Sequence, residues 1–309
     1  MPRPRRPELE ARAIALRNDG KTRGEVATEL GVSVETVSAW TRGHLKAAYD
    51  PLFLSTPTAL RAYFLGLFVA DGWLEERGGA AYLALNDQEL IRLVAEAVHY
   101  RNTISKIPLR KWKSRELSGK FSYRISFSGM PLQVLKSLGF TSDKTGNEFI
   151  PEGCDGEWFP HFLRGLSDGD GSMSIVVNRR DERLQWSLVC ACKEFLEHIV
   201  QRLHERGLVG QKVGVLAKGA SGKKKGSRKM FKLSLGHADS VAIGEYMYAD
   251  ASLKLERKYD IWCSGRAIQT NHRHWSRHEI GLARDGVCPE GRSKSAYYAM
   301  RRRLRVEAL

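Results

Sequence analysis

The chain has 309 residues and carries 50 Lys and Arg against 35 Asp and Glu, a formal charge of +15. That excess calls for a polyanion partner, either nucleic acid or an anionic membrane surface. No apolar run approaches the ~18 residues needed to span a bilayer, which leaves nucleic acid rather than a membrane as the expected partner. The first seven residues lead into no signal-peptide core, and the five cysteines form no C-x-x-C pair, so a cytoplasmic protein without a disulfide framework is expected.

Residues 1–48 read as a small helical unit. One helix runs from Glu8 to Asn18 and stops at Asp19-Gly20, a second from Arg23 or Gly24 to Leu30, and a third, after Gly31-Val32-Ser33, to about Thr41. Val26, Ala27, Leu30, Val32, Val37 and Trp40 are the positions such a unit must bury. This pattern resembles the helix-turn-helix of resolvase and transposase DNA-binding domains. The resemblance implies that Ser33, Glu35, Ser38 and Arg42 face a major groove, with Arg3, Arg5 and Arg6 as a basic arm. Residues 49–57, with two prolines and a Ser-Thr pair, read as a linker.

The first repeat, residues 58–150, opens with a helix from about Thr58 to Ala70 that ends in Phe64-Leu65-Gly66-Leu67-Phe68-Val69-Ala70-Asp71-Gly72. Strands near Trp73 to Glu75 and Ala80 to Leu85, a helix from Asp87 to about Tyr100, strands over Thr103 to Trp112 and Lys120 to Phe127, and a helix from Met130 to Leu138 follow. The second repeat, residues 151–265, takes the same αββαββα course. Its helix ends in Leu163-Arg164-Gly165-Leu166-Ser167-Asp168-Gly169-Asp170-Gly171. Strands Ser172 to Asn178 and Leu184 to Ala191, a helix Lys193 to Arg206, strands Gln211 to Leu216 and Lys229 to Leu235, and a helix Ala238 to Tyr248 complete it. The motif aspartates are 170−71=99 residues apart.

Each motif helix closes on a glycine, expected in the left-handed conformation that stops a helix. Gly66 with Ala70, and Gly165 with Gly169, put small residues one turn apart, so the two helices can pack backbone to backbone. Asp71 and Asp170 then meet at one end. Helix C-termini already carry partial negative charge, so carboxylates there call for a cation; a hard oxygen site of this kind suits Mg²⁺, with Mn²⁺ as substitute. Basic residues follow on the strands: Arg110, Lys111, Lys113 and Arg124 in the first half, then Arg179, Arg180, Arg183 and Lys218, and Lys223, Lys224, Lys225 and Arg228 in the second. Trp112 and Trp186 sit among them. Antiparallel sheets so charged fit a DNA major groove.

Two motif copies in matched surroundings resemble the LAGLIDADG homing endonucleases, in their single-chain, two-motif form. The first copy keeps Gly66, Leu67, Ala70, Asp71 and Gly72; the second keeps Leu163, Gly165, Leu166, Asp168, Asp170 and Gly171. Over residues 55 to 265 the resemblance implies an α+β fold of two pseudo-symmetric repeats packed through their motif helices, with antiparallel DNA-binding sheets, flanked by small all-α modules. It implies a monomeric, magnesium-dependent endonuclease whose partner is double-stranded DNA, cut on both strands at a long asymmetric site, with no small-molecule substrate. Asp71 and Asp170, with the carbonyls of Ala70 and Gly169, would hold the metal. Lys144 and Lys258 match the family's active-site lysines, and Asn86 its polar residue after the second short strand, where Ala191-Cys192 offers no counterpart. An inactive transcription regulator of the same fold and an RNA-splicing maturase are the alternatives.

Residues 266–309 resemble part of a Myb/SANT helical unit, through Trp275, Glu279-Ile280, Leu282-Ala283 and Gly291-Arg292-Ser293. That implies DNA contacts from Arg292, Lys294, Arg301 and Arg302; a plain basic helix tracking phosphates is the alternative.

Overall fold

A computed structural model of the protein describes residues 7–41, 49–75, 79–108, 120–178, 181–218, 229–268, 277–290, 297–298 and 300–301. The N-terminal unit is built of α1 (Pro7–Asn18), α2 (Arg23–Leu30) and α3 (Val34–Thr41). A reciprocal cap starts α2: Glu25 N donates to Thr22 Oγ1 at 3.2 Å, and Thr22 N donates to Glu25 Oε2 at 2.6 Å. Gly31, at φ 61°, ends it in the left-handed conformation. Ala13, Val26, Ala27 and Val37 form a buried cluster edged by Leu16, Leu30, Val32 and Trp40, so every position expected to be inward is inward.

Residues 49–57 are not a free linker. The Tyr49 hydroxyl accepts from Ser128 N at 2.7 Å and donates to Ser128 O at 2.6 Å. Its ring stacks on Tyr100, and Phe53 and Leu54 are buried in the main core. The apolar residues in this stretch outweigh its two prolines.

The first repeat comprises α4 (Ala59–Asp71), β1 (Gly72–Glu75), β2 (Ala80–Leu85), α5 (Gln88–Ala97), β3 (Ser105–Pro108), β4 (Phe121–Phe127) and α6 (Met130–Ser137). After a single 3₁₀ turn at Gly156–Trp158 the second comprises α7 (Phe159–Gly169), β5 (Ser172–Asn178), β6 (Asp181–Cys190), α8 (Lys193–Glu205), β7 (Leu216–Lys218), β8 (Met230–Ser234) and α9 (His237–Tyr248). Each repeat folds into a four-stranded antiparallel sheet, in the order β1-β2-β4-β3 and β5-β6-β8-β7. The matching order establishes the α+β, pseudo-symmetric architecture. The strand expected over Gln211 to Leu216 forms only at its far end, as β7. Two further helices form, α10 (Glu256–Arg266), which closes the second repeat, and α11 (Arg277–Arg284).

The motif helices α4 and α7 cross at their glycines. A Cβ on Gly66 would stand 2.1 Å from Phe162 O, and one on Gly165 would stand 2.0 Å from Tyr63 O. No side chain larger than hydrogen fits at this crossing. The closing glycines differ from expectation: Gly72 has φ −85°, and neither Gly72 nor Gly171 has a positive φ. The chain passes directly from helix into β1, so no reversal is needed. Crowding explains these glycines instead, since a Cβ at Gly72 would lie 2.3 Å from the Phe68 ring and one at Gly171 2.6 Å from Ser167 O.

Candidate active site

Because the crossing is so close, the C-terminal ends of α4 and α7 lie together. A Cβ on Gly169 would stand 2.3 Å from Ala70 Cβ and 2.9 Å from Asp71 Oδ2. Asp71 and Asp170 are therefore brought together at these ends. Burial raises the Asp71 carboxyl, opposed by the charges of Lys144 and Lys258. Asp170, although exposed as a residue, has its carboxyl crowded by surrounding protein and pushed up to about 6, first by desolvation and then by the charge of Asp71. A hard cation would offset the desolvation of two carboxyls brought together at two negative helix ends, so this donor set fits Mg²⁺.

Both expected lysines arrive at the same place. Lys144 Nζ donates to the carbonyls of Ala70 (2.6 Å), Val69 (3.1 Å) and Phe68 (3.4 Å). Lys258 Nζ donates to Ser167 O (2.6 Å), Asp168 O (2.8 Å) and Gly171 O (2.7 Å). Each ammonium gives its three donors to the negative end of its own motif helix. Ala70 O, expected to face a metal, thus already faces Lys144. Desolvation lowers both ammoniums, Lys258 to about 8, while Asp71 and Asp170 pull them back up. The pairing of two acids with two bases at two helix ends is the chemical content of the site.

Asn86 is exposed directly after β2, beside Asp87, whose Oδ1 caps α5 through Leu90 N at 3.0 Å. Glu148 was missed: its charge reaches Asp170 and Lys144, making it a third carboxylate near the site. Its spacing of four residues from Lys144 was the available signal. Among the described residues no cluster of three or more His, Cys, Asp or Glu side chains is arranged to hold a metal.

Each sheet follows its motif helix and has one face turned away from the core. On the first, Arg124 lies opposite Ala84 and Ser105 and its guanidinium sits 4.8 Å over the Tyr82 ring. Tyr82 in turn stacks on Trp73 at 5.1 Å. On the second, Lys232 lies opposite Val189 and Leu216, the counterpart of Arg124 in register. Sequence reading passed over Lys232 because it sits alone between apolar neighbours. Arg183 is exposed on β6, opposite Val176. Trp186 does not belong to this face. It is fully buried, and its Nε1 donates to Ser167 Oγ on α7 at 2.9 Å. Alternation along β6 with Leu184 and Leu188 turns it toward the core.

In the N-terminal unit Ser33 and Glu35 are exposed and Ser38 half-buried; Ser33 Oγ also accepts from Thr36 N at 3.2 Å, capping α3. Arg301 lies over the Tyr297 ring at 5.9 Å and donates to its hydroxyl at 3.4 Å. Lys218 is placed in backbone only, at the end of β7. Arg42, Arg110, Lys111, Trp112, Lys113, Arg179 and Arg180 lie outside the described residues, as do Lys223, Lys224, Lys225, Arg228, Arg292, Lys294 and Arg302. Among the described residues no helix is long and apolar enough to cross a membrane.

No protein-family model matches the chain, and no curated protein does. Among solved structures, the homing endonuclease I-WcaI bound to its DNA recognition sequence is similar at 10% identity, covering 66% of this chain and 87% of that one, with a TM-score of 0.44. The I-LtrWI LAGLIDADG homing endonuclease bound to target DNA is similar at 11% identity over 65% and 87%, with a TM-score of 0.41. Full-length DUF199/WhiA from Thermatoga maritima is similar at 16% identity over 84% and 86%, with a TM-score of 0.39.

Proposed function

We propose that this chain is a magnesium-dependent, site-specific endonuclease that hydrolyses both strands of duplex DNA. The observation that carries the reading is the meeting of Asp71 and Asp170 at the C-terminal ends of α4 and α7, where the charge of Asp71 adds to burial in raising the Asp170 carboxyl. Asp71 and Asp170 would hold Mg²⁺, with the carbonyl of Gly169 beside them, while Ala70 O stays with Lys144. Bound there, the ion would supply an activated water and charge stabilisation for an in-line displacement at phosphorus. Lys144 and Lys258 keep positive charge beside the two carboxylates and offset the negative helix ends, so that a phosphate can approach. Arg124 and Lys232, at matched register on the two sheets, place cations where a duplex lying across both would bring its backbone. The N-terminal helical unit, with its own core, would lengthen the contact.

The second reading is a DNA-binding regulator of the same fold, favoured by that separately cored unit. One experiment divides them. A randomised duplex library incubated with the protein and Mg²⁺, followed by sequencing of the ends, should give one defined cut site. Asp71→Asn and Asp170→Asn should abolish those ends while retaining binding. Sequence-specific binding with no cleavage in either Mg²⁺ or Mn²⁺ selects the regulator.

A further inference from the structure

Asp168 is a buried carboxylate that the proposed chemistry does not use. It is 3% exposed and sits on α7, one turn past Arg164, which is 1% exposed. Asp168 Oδ2 accepts two hydrogen bonds at 2.9 Å, one from the Tyr63 hydroxyl on α4 and one from Leu255 N. Leu255 is the residue at which α10 begins, and no side chain caps that helix. Its carbonyl accepts from Lys258 N at 3.0 Å and Tyr259 N at 3.2 Å, which opens the first turn. Three residues on, Lys258 Nζ returns to the carbonyl of Asp168 itself. One residue therefore grips both ends of the segment Leu255 to Lys258, by its side chain at the start and by its main chain at the ammonium. Arg164 secures the chain leading in, donating from Nε to Leu253 O at 2.8 Å and from Nη1 to Met247 O at 2.6 Å.

The first repeat lacks this device. Val69 and Leu65 stand at the positions of Asp168 and Arg164 in the motif, and both are buried apolar residues. Lys144 rides instead on a loop held by its own bonds, Asn147 N to Lys144 O at 2.9 Å and Asn147 Nδ2 to Asp143 O at 3.0 Å. Packing alone does not require a carboxylate here, because valine fills the matching position. Burying one is expensive, the more so because Asp168 Oδ1 has no hydrogen-bond partner.

We infer that Asp168 is a positioning residue, which anchors the start of α10 so that Lys258 is held at the carbonyl end of α7. The inference adds to the endonuclease reading a difference between the halves: cleavage dependent on Lys258 requires Asp168, whereas cleavage dependent on Lys144 does not.

The test combines one measurement independent of cleavage with one that depends on it. Reductive methylation of lysines in the full-length protein, followed by mass spectrometry, reads the accessibility of Lys258 with Lys144 as internal control. Losing a hydrogen bond to a charged acceptor should let the segment open, so Asp168→Val should speed Lys258 labelling at least about tenfold while Lys144 changes little. Tyr63→Phe removes one of the two bonds to Asp168 but not the one from Leu255, and should have a smaller effect. Should Asp168→Val fail to fold, Asp168→Asn carries the same readouts. On a supercoiled target the Asp168 variant should accumulate nicked circle, because one strand slows and the other does not. Unchanged Lys258 labelling, or a parallel rise at Lys144, overturns the inference. Wild-type protein that cuts neither strand overturns the endonuclease reading, while the labelling still decides the role of Asp168.

Discussion

The two halves reach one backbone geometry with different side chains. In the first, α4 is lined by Leu65, Phe68 and Val69, and its lysine comes from a loop. In the second, the matching positions of α7 are Arg164, Ser167 and Asp168, each bonded to a chain segment around it, and its lysine comes from the first turn of α10. The halves share the glycines of the crossing, the leucine beside them, the closing glycines, the terminal aspartates, the lysine on the carbonyl end and the order of helices and strands. Close backbone approach and helix-end electrostatics fix those; the remainder is open to apolar or polar solutions. The outward faces differ likewise. Trp73, Tyr82 and Arg124 form a stacked group on the first sheet, whereas Ser172, Ser187 and Lys232 occupy the matching register on the second.

If the halves are equivalent at the site, removing either carboxylate should disable both. Asp71→Asn and Asp170→Asn should each lower cleavage at least about a thousandfold in a strand-resolved assay; a variant that still cut one strand at the normal rate would break the equivalence. The crossing should be equally intolerant from both sides. Gly66→Ala and Gly165→Ala should each cost about 3 kcal/mol or more in denaturant unfolding, since the added Cβ meets backbone on the opposite helix. Gly210→Ala, with nothing within 4 Å of its Cβ, is the control. Trp186→Phe should cost about 1–2 kcal/mol, by leaving Ser167 Oγ without its donor; no such dependence exists in the first half, where phenylalanine replaces the serine. Arg124→Ala and Lys232→Ala should each reduce the slope of log affinity against log salt by about one.

Much of this was legible because it depends on local rules. The buried cluster of the three N-terminal helices, the αββαββα order and the meeting of the aspartates followed from periodicity, caps and paired small residues. Three features escaped for physical reasons. Tyr49, Phe53 and Leu54 sit among prolines and read as linker, but the rings of Tyr49 and Phe53 find partners more than forty residues away in Tyr100 and Phe127, and Leu54 is buried in the same core. Trp186 lies among basic residues in the chain, and only the strand pleat decides that it points inward. Glu148 and the Asp168 network depend on which loop packs against which helix end, and no local pattern encodes that.

A smaller effect carries the sign of the site's electrostatics. Asp170 has a folded pKa near 6, above its ordinary 3.8, so its ionisation costs stability above pH 6 and nothing below about 4. Asp170→Asn should therefore raise the metal-free Tm at pH 8, and the gain should fade as pH falls through 6.

The most direct measurement is a ¹³C NMR titration of the aspartate carboxyls without and with Mg²⁺. Shared occupancy of one cation site predicts that metal-free Asp170 titrates near 6, that Asp71→Asn lowers this midpoint by removing the neighbouring charge, and that Mg²⁺ lowers it in the wild type. An Asp170 carboxyl that titrates at its ordinary value, and responds neither to Asp71→Asn nor to Mg²⁺, would contradict a common metal site at the crossing of the two helices.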